Sequence, residues 1–368
     1  MKVLIAAGGS GGHIFPAIAM ARRLKERDGK AVIMFVGSRK ELDRRIFEKE
    51  NFDHRLISAN KMPYRVSLKT APFAVRLLAD IVQSFFILIS FRPDVVVGFG
   101  GYVSWPVTLT ASVLGIRKVV HEQNVVPGRA NKFLFNFADS IGLSFDKSAE
   151  ALGGNHRKAV VTGNPIRDSI FRDDKTAGIQ RFGLSHSKFT ILVIGGSQGA
   201  RFINETFVKA VSGLEPEKKS LIQVIHITGI KDYEEVFRAY ESSGLENRTH
   251  SFIDRIEDAY SASDLVVTRS GASAIFEIAF FGRPMILIPY PYARAHQAEN
   301  ARVFEDGGAA VTIDEKKIDV DSFRRTLSEL MADGSRLAGM SRSAKKLSVP
   351  DAADRLADVV MKAGDRSE

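Results

Sequence analysis

The residues best equipped for chemistry in this sequence fall into a few short runs. Ser270-Gly271-Ala272-Ser273 follows a β-branched apolar run at 264–267. It precedes an apolar segment, 274–281, that predicts a helix stopping at Gly282. A small-residue turn between strand and helix lets a ligand come close to the backbone. The free N–H groups of the helix N-terminus then suit an anion such as phosphate. Glu277 stands alone on that apolar segment. It reads either as the acid of a capping box with Ser270 or Ser273, or as a carboxylate accepting hydrogen bonds from a ribose diol. His13 closes the run Gly8-Gly9-Ser10-Gly11-Gly12-His13, where glycines leave room for a ligand. A histidine there is a general base, its ordinary pKa being about 6.5, or a residue packing the next helix. His121-Glu122-Gln123-Asn124 is a second polar cluster, offering a base or its orienting partner.

These runs need elements to hold them. A buried strand over 2–6, the glycine loop and a helix from Pro16 to about Arg27 make one β–loop–α unit, the start of a doubly wound α/β domain. Further strands are expected at 31–36, 55–57, 94–97, 118–121 and 160–161. The second of these carboxyl ends to be rich in glycine is Gly98-Phe99-Gly100-Gly101-Tyr102. Composition turns polar over 172–188, and the pattern then restarts: a strand at 190–194, Gly195-Gly196-Ser197-Gln198-Gly199-Ala200, and a helix over 202–212. Strands at 223–227, 249–253, 264–267 and 285–288 and helices at 320–331, 336–347 and 352–362 complete a second α/β domain, expected to face the first across a cleft.

Several chemistries lose their footing. No G-x-G-x-x-G can be placed after the first strand, and no G-x-x-x-x-G-K-[ST] or H-E-x-x-H occurs. Ser10 and Ser197 each sit in a G-x-S-x-G, the hydrolase elbow, but a hydrolase needs one, and paired phosphate loops explain the duplication better. Asp319-Val320-Asp321 reads as an N-cap for the helix at Ser322, not a metal site. Arg167, in Asn164-Pro165-Ile166-Arg167, is a surface ion or a diphosphate clamp.

At 368 residues the chain suggests two domains. With no cysteine it has no disulfide, thiol nucleophile or thiolate zinc site. A net charge of +9 favours an anionic partner. The start reads as a strand running into a glycine loop, not a signal peptide. One segment, 71–91, is apolar on more than one face, carrying Phe73, Leu77, Ile81, Phe85 and Phe86. Arg76 and Asp80 interrupt it, leaving its apolar run too short to span a bilayer, and Lys61, Arg65, Lys69 and Arg92 flank it. It is a core helix or a patch lying on an anionic membrane surface.

Taken in order, these runs, with Gly100-Gly101-Tyr102-Val103-Ser104, Gly163-Asn164-Pro165-Ile166-Arg167, Arg269-Ser270-Gly271-Ala272 and His296-Gln297 with Asn300, resemble one family across nearly the whole chain. It is the bacterial UDP-N-acetylglucosamine–N-acetylmuramyl-(pentapeptide) pyrophosphoryl-undecaprenol N-acetylglucosamine transferases. The resemblance implies a GT-B fold of two Rossmann-like domains. An acceptor- and membrane-binding domain would span 1–163, a UDP-sugar domain 164–350, and a helix at 351–368 would pack back on the first. It implies inverting, metal-independent transfer of N-acetylglucosamine to lipid I, forming lipid II for peptidoglycan synthesis, cell shape and division, at the cytoplasmic face of the membrane. No cofactor and no nucleic acid are implied. His13 would be the base for the 4-hydroxyl of N-acetylmuramic acid, with His121 and Glu122 as the other catalytic candidates. Glu277 would hold the ribose and the backbone at Phe252-Ile253 the uracil. Ser10, Gly11, Gly12, Ser197, Ser270, Gly271, Ala272 and Ser273 would face the diphosphate with Arg167. Asn124, His296, Gln297 and Asn300 would read the sugar. Ser10 stands where threonine is common, and Trp105 where glycine is common. Rival readings are a UDP-N-acetylglucosamine 2-epimerase, a transferase acting on another lipid, and a non-catalytic UDP-sugar sensor.

Overall fold

The structure is a computed structural model that describes residues 1–59, 70–196, 199–292 and 295–365, with side-chain surroundings from residue 74 onward in the helix that begins at Thr70. The chain divides into two compact units, Met1–Arg167 with Val349–Glu368, and Asp168–Ser348.

Unit 1 is built on a parallel sheet of β1 (Lys2–Ala6), β2 (Val32–Ser38), β3 (Asp53–Ile57), β4 (Val95–Gly98), β5 (Arg117–Glu122), β6 (Ser140–Leu143) and β7 (Ala159–Val161). Their order is β3-β2-β1-β4-β5-β6-β7. A parallel sheet is covered on both faces, so its strands read as unbroken apolar runs. Val3, Leu4, Ile5 and Ala6 are all fully buried. Val3 and Ile5 face one core with Ile14, Leu24, Phe35 and Val97, to which Leu356 and Val360 of the Ala352–Gly364 helix belong. Leu4 and Ala6 face the other, with Val96, Val103 and Leu88. Ala6 lies level with Val36 on one side and Gly98 on the other. The loops after β1, β2 and β4 therefore leave the sheet side by side.

Unit 2 repeats the design with β8 (Phe189–Ile194), β9 (Ile222–Ile227), β10 (Asn247–His250), β11 (Leu265–Thr268), β12 (Met285–Leu287) and β13 (Ala310–Thr312), all parallel, in the order β10-β9-β8-β11-β12-β13. In both sheets the order reverses beside the strand that feeds a glycine loop, between β1 and β4 and between β8 and β11. Such a reversal is where open α/β sheets bind ligands.

Several elements differ from the sequence expectation. β6 and β13 have no counterpart there. β10 starts two residues early and ends before Ser251. The first helix starts at Gly11, with Ser10 extended at φ −160° as its cap, so Pro16 lies at its sixth position. Proline there withholds the N–H due to the Gly12 carbonyl, and the helix tolerates it in a turn built largely of glycine.

The Thr70–Phe91 helix has one buried face and one exposed apolar face. Asp80, Ser84 and Leu88, spaced four apart, are buried, while Val75, Leu78, Phe85, Phe86 and Ile89 are exposed. Asp80 accepts hydrogen bonds from the Ala59 N–H at 3.1 and 3.3 Å, and burial pushes its pKa up. By length and composition 74–91 is apolar enough to cross a membrane, with mean hydropathy 1.8. The buried Asp80–Ser84–Leu88 stripe nonetheless seats one face against unit 1. Arg76 is exposed, and Leu77 and Ile81 are half-buried. Lys61, Arg65 and Lys69, and the surroundings of Phe73, lie outside the described residues.

Candidate functional site

In unit 1 the loop after β1 is packed at Gly8 and half-buried at Gly9, while Ser10 and Gly12 are exposed. Asp43, fully buried on the Glu41–Lys49 helix, accepts from the Gly9 N–H at 2.9 and 3.1 Å, from the Ser38 N–H at 2.8 Å and from the Ser38 hydroxyl at 2.6 Å. Lys40 Nζ donates to the Gly9 carbonyl at 3.1 Å. A methyl group on Gly8 would lie 2.5 Å from Asp43 Oδ2 and 2.9 Å from Val103. Gly101 needs its glycine twice over: φ is +72°, and a Cβ would lie 3.3 Å from the His13 ring and from the Gly8 carbonyl.

His13 is held between these loops, half-exposed. Its Nδ1 lies 3.3 Å from the Gly8 carbonyl and 3.2 Å from the Ser10 hydroxyl. A carbonyl only accepts, so Nδ1 carries the hydrogen and Nε2 keeps its lone pair. Desolvation by the packed loops lowers the His13 pKa, opposed by Glu122, the Gly8 carbonyl and Asp43. The ring is a neutral imidazole near pH 7, with the basic nitrogen turned away from its anchor.

The second polar cluster works differently. His121 is fully buried, its Nε2 3.2 Å from the Gly163 carbonyl and its Nδ1 3.0 Å from Gln123 Nε2. The carbonyl fixes the hydrogen on Nε2, and Nδ1 accepts from Gln123. Burial brings its pKa down to about 4 against the Gly163 carbonyl. Both ring nitrogens are occupied, which removes His121 as a base. Glu122, also buried, accepts at Oε1 from the Asn124 N–H and side chain (2.9 and 3.1 Å). Its Oε2 accepts from the Gly128 N–H and Asn131 side chain (3.0 and 2.8 Å). It folds the loop after β5, and its charge acts on His13 from there; it is not a base either. Asn124 is half-buried on that loop. Arg167 rests its guanidinium 4.7 Å from the centre of the Phe15 ring, beside Gly11. Trp105 packs on Phe133, with ring centres 5.7 Å apart.

In unit 2 the turn after β11 leads into the Ala272–Phe280 helix with Gly271 as its cap and no side-chain cap bond. The helix starts two residues earlier than the sequence suggested, so Glu277 is its sixth residue. It is too far in to close a capping box, and that reading falls. Its carboxylate is buried and receives the Tyr260 hydroxyl at 3.4 Å. Ser270 is fully buried: its hydroxyl donates to the Gln297 carbonyl at 2.7 Å, and its own carbonyl accepts from Asn300 at 3.1 Å. Gln297 Oε1 accepts the Tyr290 N–H at 2.8 Å. The turn, the exit of β12 and the start of the His296–Asp306 helix are thus bound together. Asn300 sits behind the turn, fully buried, while His296 and Gln297 are half-buried at the helix start. A Cβ on Gly271 would meet nothing within 4 Å, so the helix entrance opens on free space.

The second glycine loop needs its glycines as well. Gly196 and Gly199 have φ of +98° and +77°, and a Cβ on Gly199 would run into the Thr228 carbonyl. Ser197 lies outside the described residues. Ile253 is half-buried and Phe252 exposed, both just past β10. Asp319 caps its helix in a box with Ser322, as its spacing predicted. Among the described residues no cluster of three His, Asp or Glu could hold a metal.

Sequence reasoning missed Asp43 and Tyr260. Asp43 carries no motif; the one signal is an acid five residues after Ser38, at the start of a helix facing the glycine loop. Tyr260 reaches Glu277 only through packing.

Residues 3–143 match the glycosyltransferase family 28 N-terminal domain and residues 190–356 its C-terminal domain. A protein of Halothermothrix orenii named UDP-N-acetylglucosamine–N-acetylmuramyl-(pentapeptide) pyrophosphoryl-undecaprenol N-acetylglucosamine transferase is 37% identical over 368 residues, covering 98% of each chain. One of the same name from Desulforamulus reducens is 34% identical, over 98% of this chain and 97% of its own. Among solved structures, Acinetobacter baumannii MurG superposes with a TM-score of 0.76 at 26% identity, covering 98% of this chain and 99% of that one. A UDP-GlcNAc 2-epimerase from Neisseria meningitidis, bound to UDP-GlcNAc, superposes at 0.71 with 14% identity, over 98% and 100%. That likeness is one of fold alone. The fold is GT-B, two Rossmann-like parallel-sheet units.

Proposed function

We propose, for a chain that belongs to the family of UDP-N-acetylglucosamine–N-acetylmuramyl-(pentapeptide) pyrophosphoryl-undecaprenol N-acetylglucosamine transferases, that it moves N-acetylglucosamine from UDP-N-acetylglucosamine to the 4-hydroxyl of N-acetylmuramic acid in lipid I, with inversion at the sugar carbon. The product is lipid II. The observation that carries the mechanism is the His13 ring, anchored through Nδ1 to the Gly8 carbonyl and presenting Nε2.

In this reading Nε2 takes the proton of the acceptor hydroxyl as its oxygen bonds to C1 of the donor sugar. The bond from C1 to the diphosphate oxygen breaks, and UDP leaves with the electron pair. One displacement on the face opposite the leaving group turns an α-linked donor into a β-linked product. Unit 2 holds the donor. The open N-terminus of the Ala272–Phe280 helix meets the charge growing on the diphosphate, and the turn at Ser270-Gly271 lets it approach. Arg167 supplies a further positive charge. Glu277 accepts from the ribose, and Gln297 and His296 read the sugar. Asn300 acts through the Ser270 turn it supports. Charge stabilisation by backbone and arginine leaves the reaction independent of a metal.

The acceptor carries a polyprenyl chain, so the enzyme meets it at a membrane. The exposed apolar face of the 70–91 helix, with Phe85, Phe86 and Arg76, supports peripheral attachment to an anionic surface at the cytoplasmic side. Each basic side chain near such a surface adds about 1 kcal/mol. The test is UDP release from UDP-N-acetylglucosamine in EDTA, with and without lipid I. Release that requires lipid I and survives chelation supports the proposal. Release without acceptor, accompanied by N-acetylmannosamine, would replace it with epimerisation.

A further inference from the structure

We propose that Asp43 is a positioning residue for the transfer reaction, clamping the glycine loop so that its Gly8 carbonyl holds His13 with Nε2 presented as the base. This rests on the reading of His13 as the base.

The first glycine loop looks in sequence like a phosphate cradle. Its bonding says otherwise. The Gly9 N–H, which a phosphate would need, is spent on both oxygens of Asp43 (2.9 and 3.1 Å). The Gly9 carbonyl is taken by Lys40 Nζ, and the Gly8 carbonyl by His13. The loop is organised around two side chains, one buried acid and one imidazole, on opposite sides of Gly8-Gly9. The same carboxylate accepts the Ser38 N–H and hydroxyl at the end of β2, so it ties the ends of β1 and β2 together. The Gly8 carbonyl and the Gly9 N–H belong to one planar peptide, so Asp43, by holding that N–H, also sets the direction of the carbonyl. The direction of the Gly8 carbonyl decides which ring nitrogen of His13 holds the hydrogen. A rotated carbonyl would free Nδ1 and let the ring turn its lone pair away from the acceptor.

Asp43 also acts on His13 through space. Two carboxylates act on the imidazole through space, Glu122 from β5 and Asp43 from the 41–49 helix, and both raise its pKa against desolvation. The cations nearby are Lys40, on the Gly9 carbonyl, and Arg167, over the Phe15 ring. Removing the Asp43 charge leaves Glu122 and the Gly8 carbonyl to oppose desolvation.

The test is Asp43→Asn in the full chain. The asparagine amide would set N–H groups against the N–H of Gly9 or Ser38. Turnover should fall by about tenfold or more, while UDP affinity measured by calorimetry stays within about twofold. The His13 titration midpoint, followed by NMR, should move down. A lower rate with an unmoved His13 midpoint makes Asp43 a structural brace only and overturns the proposal, as does an unchanged rate. If the variant does not fold, Ser38→Ala removes one of the donors and keeps the charge; turnover should then fall severalfold with UDP binding intact, and an unchanged rate overturns the proposal. Failure of the base reading is seen separately: His13→Ala would keep its rate, while the His13 midpoint would still respond to Asp43→Asn.

Discussion

His121 gives a prediction whose size follows from its burial. Its pKa is down at about 4 in the folded chain, against about 6.5 unfolded. Only the unfolded chain takes up this proton between those values, so the contribution is a loss of stability as pH falls below about 6.5. The linkage relation gives a loss of about 2.5 kcal/mol on going from pH 7 to pH 4.5. In His121→Gln an amide N–H can still reach the Gly163 carbonyl, while the bond from Gln123 is lost, costing about 1 kcal/mol at neutral pH. The variant should therefore be the less stable chain at pH 7 and lose its disadvantage by pH 4.5. The assay is urea unfolding at each pH, read by the fluorescence of Trp105, the one tryptophan of the chain, which lies in unit 1 with His121. Parallel pH dependence in the two proteins would refute the buried neutral imidazole. Turnover of the folded variant at neutral pH should stay within about tenfold of the parent, because both ring nitrogens of His121 are engaged within the protein. A loss of about a hundredfold or more would return His121 to the chemistry.

The other expectations are shorter. His13→Ala should cost about a hundredfold or more in turnover, with UDP affinity nearly unchanged in a binding titration. Since burial lowers the His13 pKa, the acid limb of the rate profile should fall below about pH 6.5, and it should vanish in that variant. Glu277→Ala should instead weaken donor binding by about tenfold, the loss of one charged hydrogen bond; calorimetry with UDP would detect it, and unaltered affinity removes the ribose role. Phe85→Ser with Phe86→Ser should release the chain from anionic vesicles in a flotation assay without changing its melting temperature, since both rings are exposed. A lowered melting temperature would mean that these rings pack.

The general plan of the fold was legible because parallel strands buried on both faces are apolar runs and because glycine loops punctuate them. β1, β8 and β11 could be found on that ground. β13 could not: Ala310-Val311-Thr312 is buried only at its first residue and makes no apolar run like the Met285-Ile286-Leu287 of β12. The start of the helix after β11 was misplaced because Gly271, an extended cap with no side chain, leaves no mark, and the cap reading of Glu277 failed with it. His121-Glu122 looked like a site because a dense polar cluster at a strand end has the same letters whether it faces a ligand or the protein. Burial alone separates the cases: each of their polar atoms answers a backbone or amide group. Asp43 was invisible for the opposite reason. Its partners, Gly9 and Ser38, meet it only once β1 and β2 are paired.

The most direct measurement is the linkage formed when UDP-N-acetylglucosamine labelled at C1 is incubated with lipid I and the product's anomeric carbon is read by NMR, in the parent chain and in His13→Ala. A β-linked disaccharide from the parent, formed at a rate that collapses when His13 is removed, is what the anchored imidazole predicts. An α-linked product, or a β-linked one made equally fast without His13, would contradict a single displacement with His13 as its base.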